Sequence, residues 1–171
     1  MRGLRDVIAA NPRLMFVGIN PGLRSAEVGH HFAGPGNPFW KVLHAAGLTP
    51  VLLGYEEDQR LAEFGMALTN LCPRPSREAS ELTAAEIAAG KRALMKKIRR
   101  LRPRVVALVG VSIYRQLFPA SASKGPGLKS ETIDGARIFV LPNPSGRNAA
   151  FPGFEDKLVW FRRLREVLES L

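Results

Sequence analysis

The chain has 171 residues, 46% of them hydrophobic, and its 25 Lys and Arg against 15 Asp and Glu leave a net charge of +10. That length suits one domain, which buries roughly 70% of its unfolded surface without help from disulfides or metals. The single cysteine, Cys72, excludes an internal disulfide framework, a zinc ribbon and an all-cysteine iron–sulfur site, each of which needs several thiolates.

A reducing, cytoplasmic setting is expected. No positively charged leader precedes an apolar signal core, no apolar run approaches the roughly twenty residues that span a bilayer, and no membrane partner is expected. The positive balance suggests a polyanion such as nucleic acid. Most of it is local: residues 1–90 carry 8 basic and 9 acidic groups, 91–104 carry 8 and none, and 105–171 carry 9 and 6.

Residues 3–10 read as a short helix, and Leu14 to Val17 as a buried strand that runs into the turn Gly18-Ile19-Asn20-Pro21-Gly22. A long loop is predicted from Leu23 to Pro38, holding His30-His31-Phe32. Phe39, Val42, Leu43 and Ala46 have helical spacing, with Gly47 as a stop. Gly54 to Phe64 predicts a short helix, Met66 to Leu71 a second strand, and Cys72 to Pro75 a proline-rich turn. Thr83-Ala84-Ala85-Glu86 has the capping-box form, and Ile87, Leu94, Ile98 and Leu101 carry that helix to Pro103. Val105 to Val109 is a third strand, Ser112 to Phe118 a helix and Ala120 to Lys129 a loop. Arg137 to Leu141 is a fourth strand, and it too ends in an Asn-Pro turn, Pro142-Asn143-Pro144-Ser145-Gly146. An amphipathic helix from Phe154 closes the chain, with Leu158, Phe161, Leu164 and Leu168 on one face.

Short apolar strands alternating with helices predict a single three-layer α/β domain with a mainly parallel four-stranded sheet. Parallel strands finish on one edge, so the two Asn-Pro turns open onto one crevice. The sequence holds no P-loop, no Gly-x-Ser-x-Gly elbow and no His-Glu-x-x-His, which disfavours P-loop phosphoryl transfer and acyl transfer. The polar actors are amides. Asparagine is a poor base but orients water and pairs with an amide-bearing ligand through both ends. Such a site suits a substrate whose bond breaks largely by itself while the enzyme positions water and steadies the leaving anion.

The residues carrying that chemistry, Gly18 to Gly22, Phe32, Asn37 to Lys41 and Leu141 to Gly146, resemble the two motifs of the mismatch-specific uracil/thymine DNA glycosylases (the Mug/TDG family) of the uracil-DNA glycosylase superfamily. The resemblance runs from about residue 13 to the last helix. It implies an enzyme that flips uracil, especially opposite guanine, out of duplex DNA and hydrolyses its N-glycosidic bond to leave an abasic site in base excision repair. Carried over by position, Asn20 would hold the attacking water and Asn143 would stand beside the scissile bond. Phe32 would stack on the base, with Ile19, Gly22 and Asn70 lining its pocket. Gly146, Arg147 and Asn148 would fill the hole left in the stack.

Bacterial members typically carry Leu at the wedge position of Arg147, and the Ser-Gly-Arg-Asn sequence is similar to the wedge of single-strand-selective uracil glycosylases, which makes single-stranded DNA a further expected partner. Asn70 agrees with the thymine-glycosylase side of the family. The absence of a carboxylate from the first motif implies modest turnover. The absence of a lysine from the two Asn-Pro turns, Gly18 to Gly22 and Pro142 to Gly146, implies a monofunctional enzyme. No metal or cofactor is implied, and a monomer is expected. The alternative reading is a non-catalytic module that binds mismatched or flipped bases.

Phosphate contacts are expected from Ser112, Ser123, Lys124, Lys129 and Arg147, while Ser25 reads equally as a phosphate or water contact and as a loop cap. His30 and His31 read as solvated, Trp40 and Trp160 as core, and Glu86 as explained by its cap. The basic run Lys91 to Arg104 falls at the sheet edge opposite the crevice, where a solvated face is expected.

Overall fold

The computed structural model describes residues 3–171. Its strands are β1 (Leu14–Gly18), β2 (Met66–Asn70), β3 (Val105–Val109), β4 (Gly127–Ile133) and β5 (Ala136–Leu141), in the order β2-β1-β3-β5-β4. The first four in that order are parallel, and β4 pairs antiparallel to β5 at one edge. Every residue of β1 and β3 is buried, as expected of central parallel strands covered on both faces. The helices are α1 (Leu23–Val28), α2 (Phe39–Ala45), α3 (Ala84–Leu101), α4 (Val111–Leu117) and α5 (Phe154–Glu169), with a 3-10 helix over Tyr55–Phe64.

The side-chain alternation of the strands splits the core in two. Leu14, Phe16, Leu68, Phe139 and Leu141 pack with Phe39 and Leu43 of α2 and Phe161 and Leu164 of α5. Met15, Val17, Val106, Leu108 and Ile138 pack with Leu94 and Ile98 of α3 and Ile113 of α4. These are the three expected layers. Thr83 caps α3 as expected: its Oγ1 accepts from Glu86 N–H at 3.1 Å, and Glu86 Oε1 accepts from Thr83 N–H at 3.0 Å.

Three expectations are corrected. The sheet has five strands, because β4 occupies the end of the predicted 120–129 loop and continues to Ile133. As an edge strand it buries few residues, so its sequence lacks an apolar run. Residues 3–10 form no helix; the segment is extended, with Val7 and Leu68 exchanging both backbone hydrogen bonds. The 23–38 segment opens with α1 rather than being loop throughout. Trp40 is buried in the core, whereas Trp160 is half-buried beneath the Arg163 guanidinium. No helix among the described residues is long and apolar enough to cross a membrane.

Candidate active site

Going from β1 the chain crosses to β2 on one side and on to β3 on the other, so the sheet has its topological switch point at the C-terminal end of β1. Open α/β sheets bind ligands there. The Asn20 turn leaves β1 at this point. The Asn143 turn leaves β5 two strands away, at the same edge and about 10 Å off at the usual strand spacing.

Asn20 is held by the segment after β2. Its Nδ2 donates to the Arg74 carbonyl at 2.9 Å and to Ser76 Oγ at 2.7 Å. The Ser76 hydroxyl donates in turn to the Glu78 carbonyl at 2.7 Å, so it accepts from Asn20. Both partners being acceptors, the amide has one orientation, and Oδ1 is left without a partner among the described residues. Arg74 is itself fixed by Glu86 through two bonds of 2.7 and 2.9 Å and by the Glu81 carbonyl. The Arg74 guanidinium, followed by the cap at Thr83, lowers the Glu86 carboxyl to a pKa of about 2. Sequence reasoning singled out neither Ser76 nor Arg74.

Gly18 makes the space beside Asn20. A Cβ there would stand 2.6 Å from Asn70 Oδ1 and 4.0 Å from Phe32 Cζ, so a larger residue would close the gap where these two side chains meet. The Asn70 amide makes no hydrogen bond among the described residues, and both of its ends are available to a ligand. Phe32 is half-buried and stacks on Phe39, with centroids 4.0 Å apart and planes 22° from parallel. Its φ of 51° is unusual for a side chain of this size and persists only where the surroundings enforce it.

The enforcing contacts are visible. Ser25 Oγ accepts from Ala33 N–H at 3.0 Å, and the buried Asp58 carboxylate accepts from His31 N–H at 2.9 Å. Trp40 Nε1 donates to the His31 carbonyl, and His31 Nε2 donates to the Arg5 carbonyl at 2.8 Å. Burial pushes the His31 pKa below its ordinary value. His31 is thus a buried loop anchor, not a solvated residue, and His30 lies 3.2 Å from Asp58. Ser25 is buried with its hydroxyl committed to the same loop.

The second turn is held by its own polar groups. Asn143 Oδ1 accepts from Ser145 N–H at 2.9 Å, its Nδ2 has no partner among the described residues, and Asn148 Nδ2 donates to the Asn143 carbonyl at 2.9 Å. Arg147, 73% exposed, reaches Glu78 with an N–O distance of 2.7 Å. Gly146 packs against the Gly36 carbonyl, where a Cβ would stand at 2.9 Å. Glu78 follows Ser76, so the Arg147 pair ties the second turn to the segment that holds Asn20.

Asn70 and Phe32 therefore meet beside Gly18, while Ile19, next in the chain, packs against the core on the α3 side of the sheet and Asn20 against the segment after β2; Gly22 starts α1, and Asn143, Gly146, Arg147 and Asn148 form the other turn. Lys124 is exposed on the loop before β4 and contacts neither group. Lys129 is unavailable to a phosphate, because it is buried over the Tyr114 ring and donates to Ser123 at 2.8 Å. Among the described residues no group of three His, Cys, Asp or Glu is placed to hold a metal ion.

The chain is a doubly wound α/β domain whose Asn20 turn stands at the switch point, where such folds usually take their ligands. The uracil DNA glycosylase superfamily model matches residues 5–168, and the chain belongs to that superfamily. Its members are DNA-binding hydrolases that act on N-glycosyl bonds. The fold is similar to the solution structure of a candidate uracil DNA glycosylase from Methanosarcina acetivorans, with a TM-score of 0.64 and 22% identity over 96% of this chain and 98% of that one.

Proposed function

We propose that this protein is a monofunctional, mismatch-specific uracil DNA glycosylase. The observation that carries the reading is the fixed Asn20 amide: both Nδ2 hydrogens are engaged by Arg74 and Ser76, and Oδ1 remains to accept a hydrogen from water. An amide this weakly basic orients water without deprotonating it, which suits a step in which bond breaking leads. The C1′–N1 bond of the deoxynucleotide breaks, its electron pair leaves on the uracil anion, and the water oxygen bonds to C1′ as its proton passes to solvent or base.

In this reading Phe32 stacks on the extruded base, while Asn70 pairs with its carbonyl and N–H edge. Ile19 and Gly22 line the pocket, and Asn143 Nδ2 donates beside the scissile bond. Gly146, Arg147 and Asn148 enter the space the base has left. Extrusion costs a few kcal/mol and least at a mismatch, which favours uracil opposite guanine. The Ser145-Gly146-Arg147-Asn148 sequence, similar to the wedge of single-strand-selective uracil glycosylases, adds single-stranded uracil as a second substrate.

The test is incubation with oligonucleotides carrying U opposite G, U opposite A, T opposite G and single-stranded U, followed by alkali. Breaks at uracil, fastest opposite guanine, are expected. Tight binding without breaks would replace the reading with that of a non-catalytic mismatch-binding module.

A further inference from the structure

The positive charge that the crevice does not use lies at the opposite pole, where the strands begin. There Arg13 before β1, Arg104 before β3 and Arg165 on α5 line one depression of about 260 Å3. Glu169 is the one acidic side chain in its lining, engaged by Arg165 Nε at 2.9 Å, and Leu171 lines it too. Three guanidinium groups thus face one acidic side chain.

Two of the three side chains are held in place, and the third is placed by its backbone. Arg13 is half-buried, and its Nε and Nη2 donate to the Phe64 and Leu48 carbonyls, both at 3.0 Å. Those carbonyls fix the guanidinium but do not neutralise it, and burial lowers its pKa from the ordinary arginine value. Arg165 lies over Gly47 so closely that a Cβ there would run into the guanidinium. Arg104 is pinned through its backbone, donating to the Pro12 carbonyl at 3.2 Å and accepting from Arg137 N–H at 3.0 Å. Neither Arg13 nor Arg104 has an ion-pair partner among the described residues.

The depression falls below the roughly 300–1,000 Å3 of sites that enclose drug-sized ligands, which favours a compact anion. Guanidinium groups match phosphate oxygens, and Arg13 and Arg165, already held, lose little further freedom on binding. Arg100 and Arg102, exposed at the end of α3, add to the attracting field. We propose that Arg13, Arg104 and Arg165 form a phosphate-binding site at the pole opposite the crevice. It takes either free phosphate or a phosphate of a nucleic-acid backbone, and it stands whether or not the crevice cleaves uracil.

The experiment is an amide NMR titration of the full chain with inorganic phosphate at constant ionic strength, with chloride as control. Saturable shifts at Gly47, Arg104 and Arg165 are expected with phosphate only, and their loss in Arg104→Ala/Arg165→Ala. A short undamaged duplex then separates the sources: shifts at the same amides identify the backbone, and their absence identifies free phosphate. The single variant Arg104→Ala guards against a folding artefact, since its side chain makes no hydrogen bond within the described chain; it should weaken phosphate binding about tenfold. Absence of saturation in the wild type, or unchanged phosphate shifts in the double variant, overturns the proposal.

Discussion

The Asn20 amide donates to the Ser76 hydroxyl at 2.7 Å, joining the turn after β1 to the segment after β2. Ser76 therefore acts through Asn20. Ser76→Ala should leave the Arg74 bond as the amide's only anchor and slow single-turnover cleavage roughly fivefold, the worth of about 1 kcal/mol for one hydrogen bond. Substrate affinity should hold, because Ser76 does not itself face the base. A fall in affinity at an unchanged rate would reassign the residue to binding.

Phe32 presents a ring whose backbone is fixed by Ser25, Asp58 and Trp40. Phe32→Ala should weaken the Kd for a duplex carrying a non-cleavable 2′-fluoro uracil nucleotide by about 1–3 kcal/mol, the worth of one base stacked on an aromatic ring. An unchanged Kd would leave Phe32 as a cover over Phe39 and nothing more.

Arg147 is paired with Glu78 in the free protein. Arg147→Ala should slow cleavage of U opposite G more than cleavage of single-stranded U, because only the duplex leaves a hole in its stack. Equal losses on the two substrates would remove the wedge role.

Two groups contribute to the acid side of stability in different pH windows. Burial lowers the His31 pKa from 6.5, so the unfolded chain takes up that proton first; the contribution is complete above 6.5 and is lost as pH falls below it. Glu86 is held at about 2 against 4.5, so its contribution is complete above 4.5 and is lost as pH falls toward 2. Thermal melts from pH 8 to 3 should show His31→Gln flattening the upper window and Glu86→Gln the lower. A wild-type Tm that does not change between pH 7.5 and 5.5 would contradict the His31 assignment.

Much of the fold was legible because central parallel strands are continuous apolar runs and because Thr83 to Glu86 spells out a helix start. The fifth strand was less so. Its consecutive Lys129, Ser130 and Glu131 interrupt any apolar run, yet Asp134-Gly135, at φ 47° and 84°, is a two-residue hairpin turn that points to it. The two Asn-Pro turns were readable as one edge of the sheet. What holds them was not: the Ser76 and Arg74 bonds to Asn20 cross more than fifty residues, and the Asp58 bond to His31 crosses 27. No local pattern reports such contacts, which is why His31 reads as solvated and Ser76 reads as part of a turn.

The central claim is that Asn20 positions the attacking water. Its most direct test is the single-turnover cleavage rate of a duplex with U opposite G for the wild type and Asn20→Ala, with duplex affinity measured in parallel. A rate loss of about 3 kcal/mol, on the order of a hundredfold, with affinity retained is predicted. Cleavage by Asn20→Ala at the wild-type rate would contradict it.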